Sequence, residues 1–515
     1  MLKKIRVILS ILIFTLITFF FVDFAGLLPN RFHVLAHIQF VPALLGGSFA
    51  ILAILIILTL LFGRIYCSSI CPMGVFQDIV AWISKRTAKK KKKYTYSKAK
   101  NVLRWSVLVV TAVAFFLGFT VVLGLVDPYA AYGRMATHLF KPVYQLGNNL
   151  LAAIFTYFGN YTFYRVKIYM LSISSFIIAL TTFVGIGFFA WKYGRTYCNT
   201  ICPVGTILGF ISKYSRFKVR MNEEKCNSCG LCAMSCKASC IDSKERKIDY
   251  SRCVDCFNCL QACNRNAMTF SRNPSFLRKQ ESQEIAGQAR NDIDESRRKF
   301  FLTGLTTAAV LPSVLAKEKT ALLFGENVPT RQTPISPPGS KSAENLLKRC
   351  SSCHLCISKC PSKVLKPAFM EYGLGGMMQP MMYFEKGFCN YNCTVCSQVC
   401  PNRAIVQLTK DEKHRTQVGH VVFVESICIV KTEGTSCGAC AEHCPTQAVK
   451  MIPYKGGLTI PNIETDICIG CGGCEFICPV RPHRAIFVEG NSVHKEALVT
   501  SSEEKDDVNI LDFGF

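Results

Sequence analysis

Acidic residues are scarce in the first part of this 515-residue chain: residues 1–299 hold 14 Asp and Glu against 39 Lys and Arg. Residues 300–515 are balanced, with 20 against 21. The formal charge of +26 therefore belongs to one half of the molecule. No GxxxxGK[ST] loop and no GxGxxG after a strand appears anywhere, which removes the usual nucleotide-binding motifs. Only 18% of residues are charged and 50% are hydrophobic, which excludes a disordered chain. The 29 cysteines make too small a share for a disulfide scaffold, and the chain is too long for one. At about 150 residues per domain, the length allows three or four domains.

Four long apolar runs explain the uneven charge. They are residues 7–28, 40–62, 105–126 and 168–191, and only the first holds a charge, Asp23. About 20 apolar residues cross a bilayer core, so each run qualifies and a four-helix membrane bundle is expected. Lys3, Lys4 and Arg6 precede the first run as in a signal peptide, but the run is too long and Leu27-Leu28-Pro29-Asn30 is a poor cleavage site. Residues 64–101 carry ten Lys/Arg and residues 192–299 carry twenty, whereas segments 29–39 and 127–165 carry one and three. The positive-inside rule then puts the N-terminus and the two basic segments in the cytoplasm. The lysine run 89–93 reads as an anchor on an anionic membrane face, and no nucleic-acid partner is expected.

The helix pairs form an internal repeat. Gly63-Arg64-Ile65-Tyr66-Cys67-x-x-Ile70-Cys71-Pro72-x-Gly74 recurs as Gly194-Arg195-Thr196-Tyr197-Cys198-x-x-Ile201-Cys202-Pro203-x-Gly205. Each copy follows an apolar run at its cytoplasmic end. A pseudo-two-fold arrangement would bring Cys67, Cys71, Cys198 and Cys202 together, enough thiolates for one 4Fe-4S cluster. The alternative is a structural role for free thiols.

Beyond residue 225 the cysteine spacing is that of a two-cluster ferredoxin: Cys226, Cys229, Cys232 and Cys236, then Cys253, Cys256, Cys259 and Cys263. Three close thiolates cap three irons of a cube, and the fourth corner must be reached from elsewhere. Cys226, Cys229, Cys232 and Cys263 are thus assigned to one cluster, and Cys253, Cys256, Cys259 and Cys236 to the other. Zinc favours pairs of CxxC over runs of three cysteines. Lys237 and Asn264 stand where proline usually follows the fourth cysteine, and Cys240 is left over.

Four further motifs end in CxxxCP: Cys350, Cys353, Cys356 and Cys360; Cys389, Cys393, Cys396 and Cys400; Cys428, Cys437, Cys440 and Cys444; Cys468, Cys471, Cys474 and Cys478. They predict four more clusters, for six in all, or seven with the membrane cysteines. Neighbouring and nested exchange of the fourth cysteine both fit the spacing. Segments 404–408, 420–424 and 485–488 read as small strands.

Between the two cluster regions lies Ser296-Arg297-Arg298-Lys299-Phe300-Phe301-Leu302, followed by an apolar run over 300–316. It is similar to a twin-arginine signal, which exports folded proteins, and 17 residues also suffice for a fifth membrane helix. The expected organisation is a membrane domain over 1–215, a cytoplasmic two-cluster ferredoxin over 216–270 and a polar linker over 271–299. The apolar segment 300–316, a Pro-rich spacer over 317–345, a four-cluster α+β domain over 346–500 and an acidic tail over 501–515 complete it.

The membrane helices, paired CxxxCP motifs and following ferredoxin resemble the NapH-type membrane quinol dehydrogenase subunit. The twin-arginine segment with four clusters resembles its NapG/MauM-type ferredoxin partner, here fused in one chain. The resemblance implies a multi-pass protein of a bacterial inner membrane, with residues 216–299 cytoplasmic and 317–515 periplasmic. It also implies electron transfer from the quinone pool to a periplasmic redox protein such as a cytochrome or reductase. Quinol oxidation releases protons, and His33, His37, Gln39, Asp127, Arg134 and His138 in the outer segments are the candidate acceptors and quinone contacts. A redox-sensing or maturation protein, and a cytoplasmic-facing polyferredoxin reductase, are the other readings.

Overall fold

The computed structural model describes residues 2–87, 94–272 and 331–498. The lysine run 89–93, most of the polar linker, the twin-arginine-like segment 300–316, the first part of the Pro-rich spacer and the acidic tail lie outside the described residues.

Apolar sequence folds here as helices, but not as four continuous spans. Among the described residues, two helices are long and apolar enough to cross a membrane: α1 (Leu2–Val22) and a second one described below, Ile173–Tyr193. The run 40–62 is broken after Leu45, where Gly47 takes φ +67°, and resumes as α2 (Phe49–Phe62). Then comes α3 (Pro72–Thr87), beginning on the proline of the first CxxxCP motif. The run 105–126 is likewise divided, into α4 (Asn101–Phe116) and α5 (Thr120–Val126), by Gly118 at φ +86°. Left-handed backbone is cheap only for glycine, so these positions set where the helices break.

Segment 127–165 is more than a loop. Asp127 caps the next helix by accepting from the N–H groups of Tyr129 (3.4 Å) and Ala130 (2.9 Å). A further helix, α6 (Lys141–Tyr157), follows, then α7 (Ile173–Tyr193) and α8 (Pro203–Ser212), the last opening on the proline of the second CxxxCP motif.

The first cluster region closes with β1 (Phe217–Met221) antiparallel to β2 (Met268–Arg272), Phe217 opposite Arg272. In the C-terminal region, β3 (Thr416–Phe423) pairs with β6 (Ile486–Glu496), and β4 (Val449–Pro453) with β5 (Thr459–Ile463). Segment 404–408 forms no strand. Ile405 fills the core and the N–H of Val406 donates to Gly339 O at 2.9 Å, so a crossing segment takes the donor that a ladder would use. That crossing segment is the described end of the Pro-rich spacer. It is built into the C-terminal unit: Ile335, Ser336 and Ser340 are fully buried, and Arg331 pairs with Glu475. Residues 331–340 therefore pack with the C-terminal unit.

The two cluster regions contact opposite ends of α1. At its start Lys3 donates to Gln261 (2.8 Å), and Arg6 shares Asp78 of α3 with Lys237 of that region (3.0 and 2.7 Å). At its end Ser358 Oγ donates to Phe21 O, and Lys359 pairs with Asp23 at 2.9 Å. Twenty residues of helix separate Lys3 from Asp23, about 30 Å at 1.5 Å per residue.

Candidate metal centres

The repeat places its four cysteines in one buried site. Cys67, Cys71, Cys198 and Cys202 are each 3–4% exposed, and the first three all lie near enough to Cys202 to act on it electrostatically. Two fully buried arginines cross between the repeats. Arg64 Nη2 donates to Cys198 O at 3.2 Å and lies 3.9 Å from Cys67 Sγ. Arg195 Nη1 donates to Cys67 O at 2.7 Å. The two motif glycines make this possible: a Cβ at Gly74 would sit 2.1 Å from Cys67 O, and one at Gly205 would sit 2.2 Å from Cys198 O.

The same arginines fasten the site to the first cluster region. The N–H of Arg64 donates to Asp255 (3.0 Å), and the N–H of Arg195 to Lys237 O (2.9 Å). Asp255 lies between Cys253 and Cys256, and Lys237 follows Cys236. Beneath them Asp78 accepts from Arg195 (2.6 Å), Lys237 (2.7 Å) and Arg6 (3.0 Å). Burial pushes the Asp78 carboxyl up, but Arg195, Lys237 and Arg6 together outweigh it and hold it well below the usual carboxylate range. Sequence reading missed Asp78. A lone Asp inside an apolar helix is the signal that marks it.

The ferredoxin-type cysteines line two cavities. One, of about 200 Å³, is lined by Cys226, Cys229, Cys232 and Cys263. A smaller one is lined by Cys236, Cys253, Cys256 and Cys259, together with Cys240, whose Sγ lies 3.5 Å from that of Cys236. The leftover cysteine is thus a neighbour of the second set.

The C-terminal motifs group as neighbours and not as a nest. Cys350 and Cys353 lie within electrostatic reach of Cys400, and Cys356 is acted on by Cys350, Cys353 and Cys400. Cys396 is acted on by Cys389, Cys393 and Cys360. Cys440 lies near Cys437 and Cys478, and Cys428 near the same two. Cys474 lies near Cys444, Cys468 and Cys471. The four sets also follow one another. Cys356 lies near Cys396, and the N–H of Cys389 donates to Cys471 O at 2.9 Å.

Backbone geometry repeats across the motifs. Ser228, Asp255, Ser352 and Gly470, each just before the second cysteine of its motif, have φ between +47° and +72°. Ser239, Asn266, Lys363, Arg403 and Gln447, each three residues after a motif's last cysteine, have φ between +51° and +55°. Non-glycine residues keep such angles only where their surroundings enforce them. The turns aim N–H groups at sulfur: Ser352 to Cys350, Ile405 to Cys400 and Gly470 to Cys468 at 3.4 Å, and Gly205 to Cys202 at 3.3 Å. The turn forms after Cys236 and Cys263 without the usual proline. Among the described residues, no three Cys, His, Asp or Glu side chains converge closely enough to hold a single ion. Thiols spread around a space and fed by N–H donors fit a 4Fe-4S cube. At the central site, Arg64 Nε and Arg195 Nη2 are buried donors with no protein partner, which fits an anionic group held there.

Cys350-Ser351-Ser352-Cys353-His354 also reads literally as a haem-attachment pattern. His354 is otherwise engaged: one ring nitrogen meets Met378 O at 2.9 Å and the other His138 at 2.8 Å.

The candidate quinone contacts are spread along the junction between the helices and the C-terminal unit. Arg134 donates to Ser352 O (3.2 Å) and Gly124 O (2.9 Å), so it and His138 hold the two parts together. Gln39 accepts from Tyr66 (3.0 Å) on the inner side of that junction. His33 lies near Lys359 and His37 near Arg403, at its rim. Asp127 sits between, close enough to act on both Tyr197 and Cys353.

Three family profiles match parts of the chain. A 4Fe-4S binding domain matches residues 44–91 and 173–222, which contain the Cys67/Cys71 and Cys198/Cys202 motifs. Two 4Fe-4S dicluster domain profiles match residues 249–364 and 433–481. The chain is 27% identical over 157 residues to the ferredoxin-type protein NapF of Escherichia coli, covering 30% of this chain and 87% of that one. It is 27% identical over 192 residues to the methylamine utilization ferredoxin-type protein MauM of Methylobacillus flagellatus, covering 36% and 81%. The putative electron transport protein YccM of Escherichia coli is 24% identical over 234 residues, covering 45% and 57%. No solved structure matches. The chain is therefore an iron–sulfur electron-transfer protein with several ferredoxin-type 4Fe-4S domains, homologous to NapF and MauM.

Proposed function

We propose that the protein is a membrane-bound conduit that draws electrons from quinol and delivers them to a periplasmic redox partner. One observation carries this reading: seven sets of four cysteines follow one another from the basic cluster region, through the apolar helices, to the far end of the C-terminal unit. When bound, 4Fe-4S cubes each accept and release one electron at a potential set by their surroundings. The chain supplies thiolates to hold them, N–H groups to stabilise sulfur charge, and Arg64 and Arg195 to offset charge at the central set. Docking of the two cluster regions at opposite ends of α1 supports cytoplasmic and periplasmic placements respectively. Among the six candidate quinol contacts, Asp127 is the carboxylate placed between Tyr197 and the Cys353 loop, where a proton acceptor is needed.

The test is anaerobic purification of the full chain with iron quantification and EPR during quinol titration. Seven cubes require about 28 Fe per chain, and six about 24. Iron near 8 would reject the C-terminal sites. Signals that stay oxidised under excess quinol of sufficiently low potential would reject quinol as donor.

A further inference from the structure

Away from α1, the contacts that the two cluster regions make with the helices lie closer together than a bilayer core is thick. Two segments measure this. On α4, Arg104 donates to Ser251, and fourteen residues later the carbonyl of Gly118 meets Gly375, about 21 Å away. Gly63, just after α2, meets Asp255, and Gly46, just before it, meets Pro401 O; the fourteen residues of α2 between them are about 21 Å long. A hydrocarbon core is about 30 Å thick.

If the inner boundary lies at Arg104, the outer boundary falls beyond Gly118, and the C-terminal unit must reach below it. The surface there is suited to that. Phe369, Met370 and Leu374 are exposed, and they flank the contact with Gly118 and Phe119, beside exposed Phe116 and Leu117. Unpaired donors are not tolerated in lipid. Here the N–H groups of Phe369 and Met370 both donate to the Glu371 carboxylate (2.5 and 3.0 Å). Glu371 also limits the depth, since its charge must stay within reach of the headgroups.

The geometry points to a lipid-contacting turn: the C-terminal iron–sulfur unit is sunk into the outer leaflet, with Phe369, Met370 and Leu374 against phospholipid acyl chains. This rests on the membrane reading above, and the test separates the two. The full chain with Phe369→Trp, and separately with Leu374→Trp in case the first does not fold, is reconstituted in phosphatidylcholine vesicles with or without bromine on the acyl chains. The native Trp82, Trp105 and Trp191 are all exposed near the inner end and report on the membrane reading itself. The expected result is that bromolipid removes at least half of the added tryptophan's emission, while Glu433→Trp, on the exposed surface by the Cys428 set, keeps its own. An unquenched residue 369 or 374 alongside quenched native tryptophans overturns the inference and leaves the membrane reading standing. No quenching at any tryptophan overturns both. Equal quenching at position 433 overturns the inference as well.

Discussion

Arg64 and Arg195 each reach from their own repeat to the cysteine of the other, Arg64 to Cys198 O at 3.2 Å and Arg195 to Cys67 O at 2.7 Å. The exchange locks the pseudo-two-fold axis and places two guanidinium groups against four thiols. Cys67→Ser and Cys198→Ser should each lower bound iron by about 4 per chain and remove one EPR component. Together they should remove no more than either alone. Iron unchanged in both variants would leave these thiols structural.

Asp78 is the single carboxylate among Arg6, Arg195 and Lys237, each within 3.0 Å. Asp78→Ala takes the shared carboxylate from three buried cations, which should cost about 3–5 kcal/mol. The loss should appear as a lower unfolding midpoint and as proteolytic release of the first cluster region. Asp78→Glu should recover part of it.

Neighbour pairing of the C-terminal motifs makes a double-variant prediction. Cys400 shares its set with Cys353, so Cys353→Ser with Cys400→Ser should lose about 4 Fe, the same as either alone. Cys396→Ser with Cys400→Ser touches two sets and should lose about 8. Equal losses from the two doubles would return the pairing to an open question of topology and refute the neighbour arrangement.

His494 is tied to Ser336 at 2.7 Å, and burial lowers its pKa to about 4. The unfolded chain binds a proton near the ordinary 6.5 while the folded unit does not. The contribution is therefore intact above about pH 6.5 and is lost as pH falls toward 4, by up to about 3 kcal/mol. The C-terminal unit's melting temperature should fall between pH 7 and 5 more in the parent than in His494→Gln. Parallel curves would show that His494 is not responsible.

His138 and His354 join the helices to the first C-terminal cysteine loop at 2.8 Å. His138→Leu leaves a buried ring nitrogen unpaired, at about 1–3 kcal/mol. The variant should loosen the C-terminal unit, read as faster protease cleavage near residue 331, and should shift the EPR signal that depends on Cys353. An unshifted signal with normal cleavage would mean the pair is incidental.

Cysteine spacing alone determined that this chain gathers sulfur in fours, because CxxCxxC can only present three thiols to one point and needs a fourth from a distance. Glycine and proline placement after Cys71 and Cys202 likewise announced two equivalent turns. Partners far apart in sequence were beyond its reach. Pairing of Cys360 with the Cys389 motif, the crossing of Arg64 and Arg195, and the meeting of His138 with His354 depend on how separate segments pack, and spacing carries no record of that. Apolar runs, too, named the helices but not their breaks at Gly47 and Gly118, where the approach of another segment and left-handed backbone decide against a continuous span. Local chemistry is written in neighbouring residues; the distance between the two cluster regions exists only once the chain has folded.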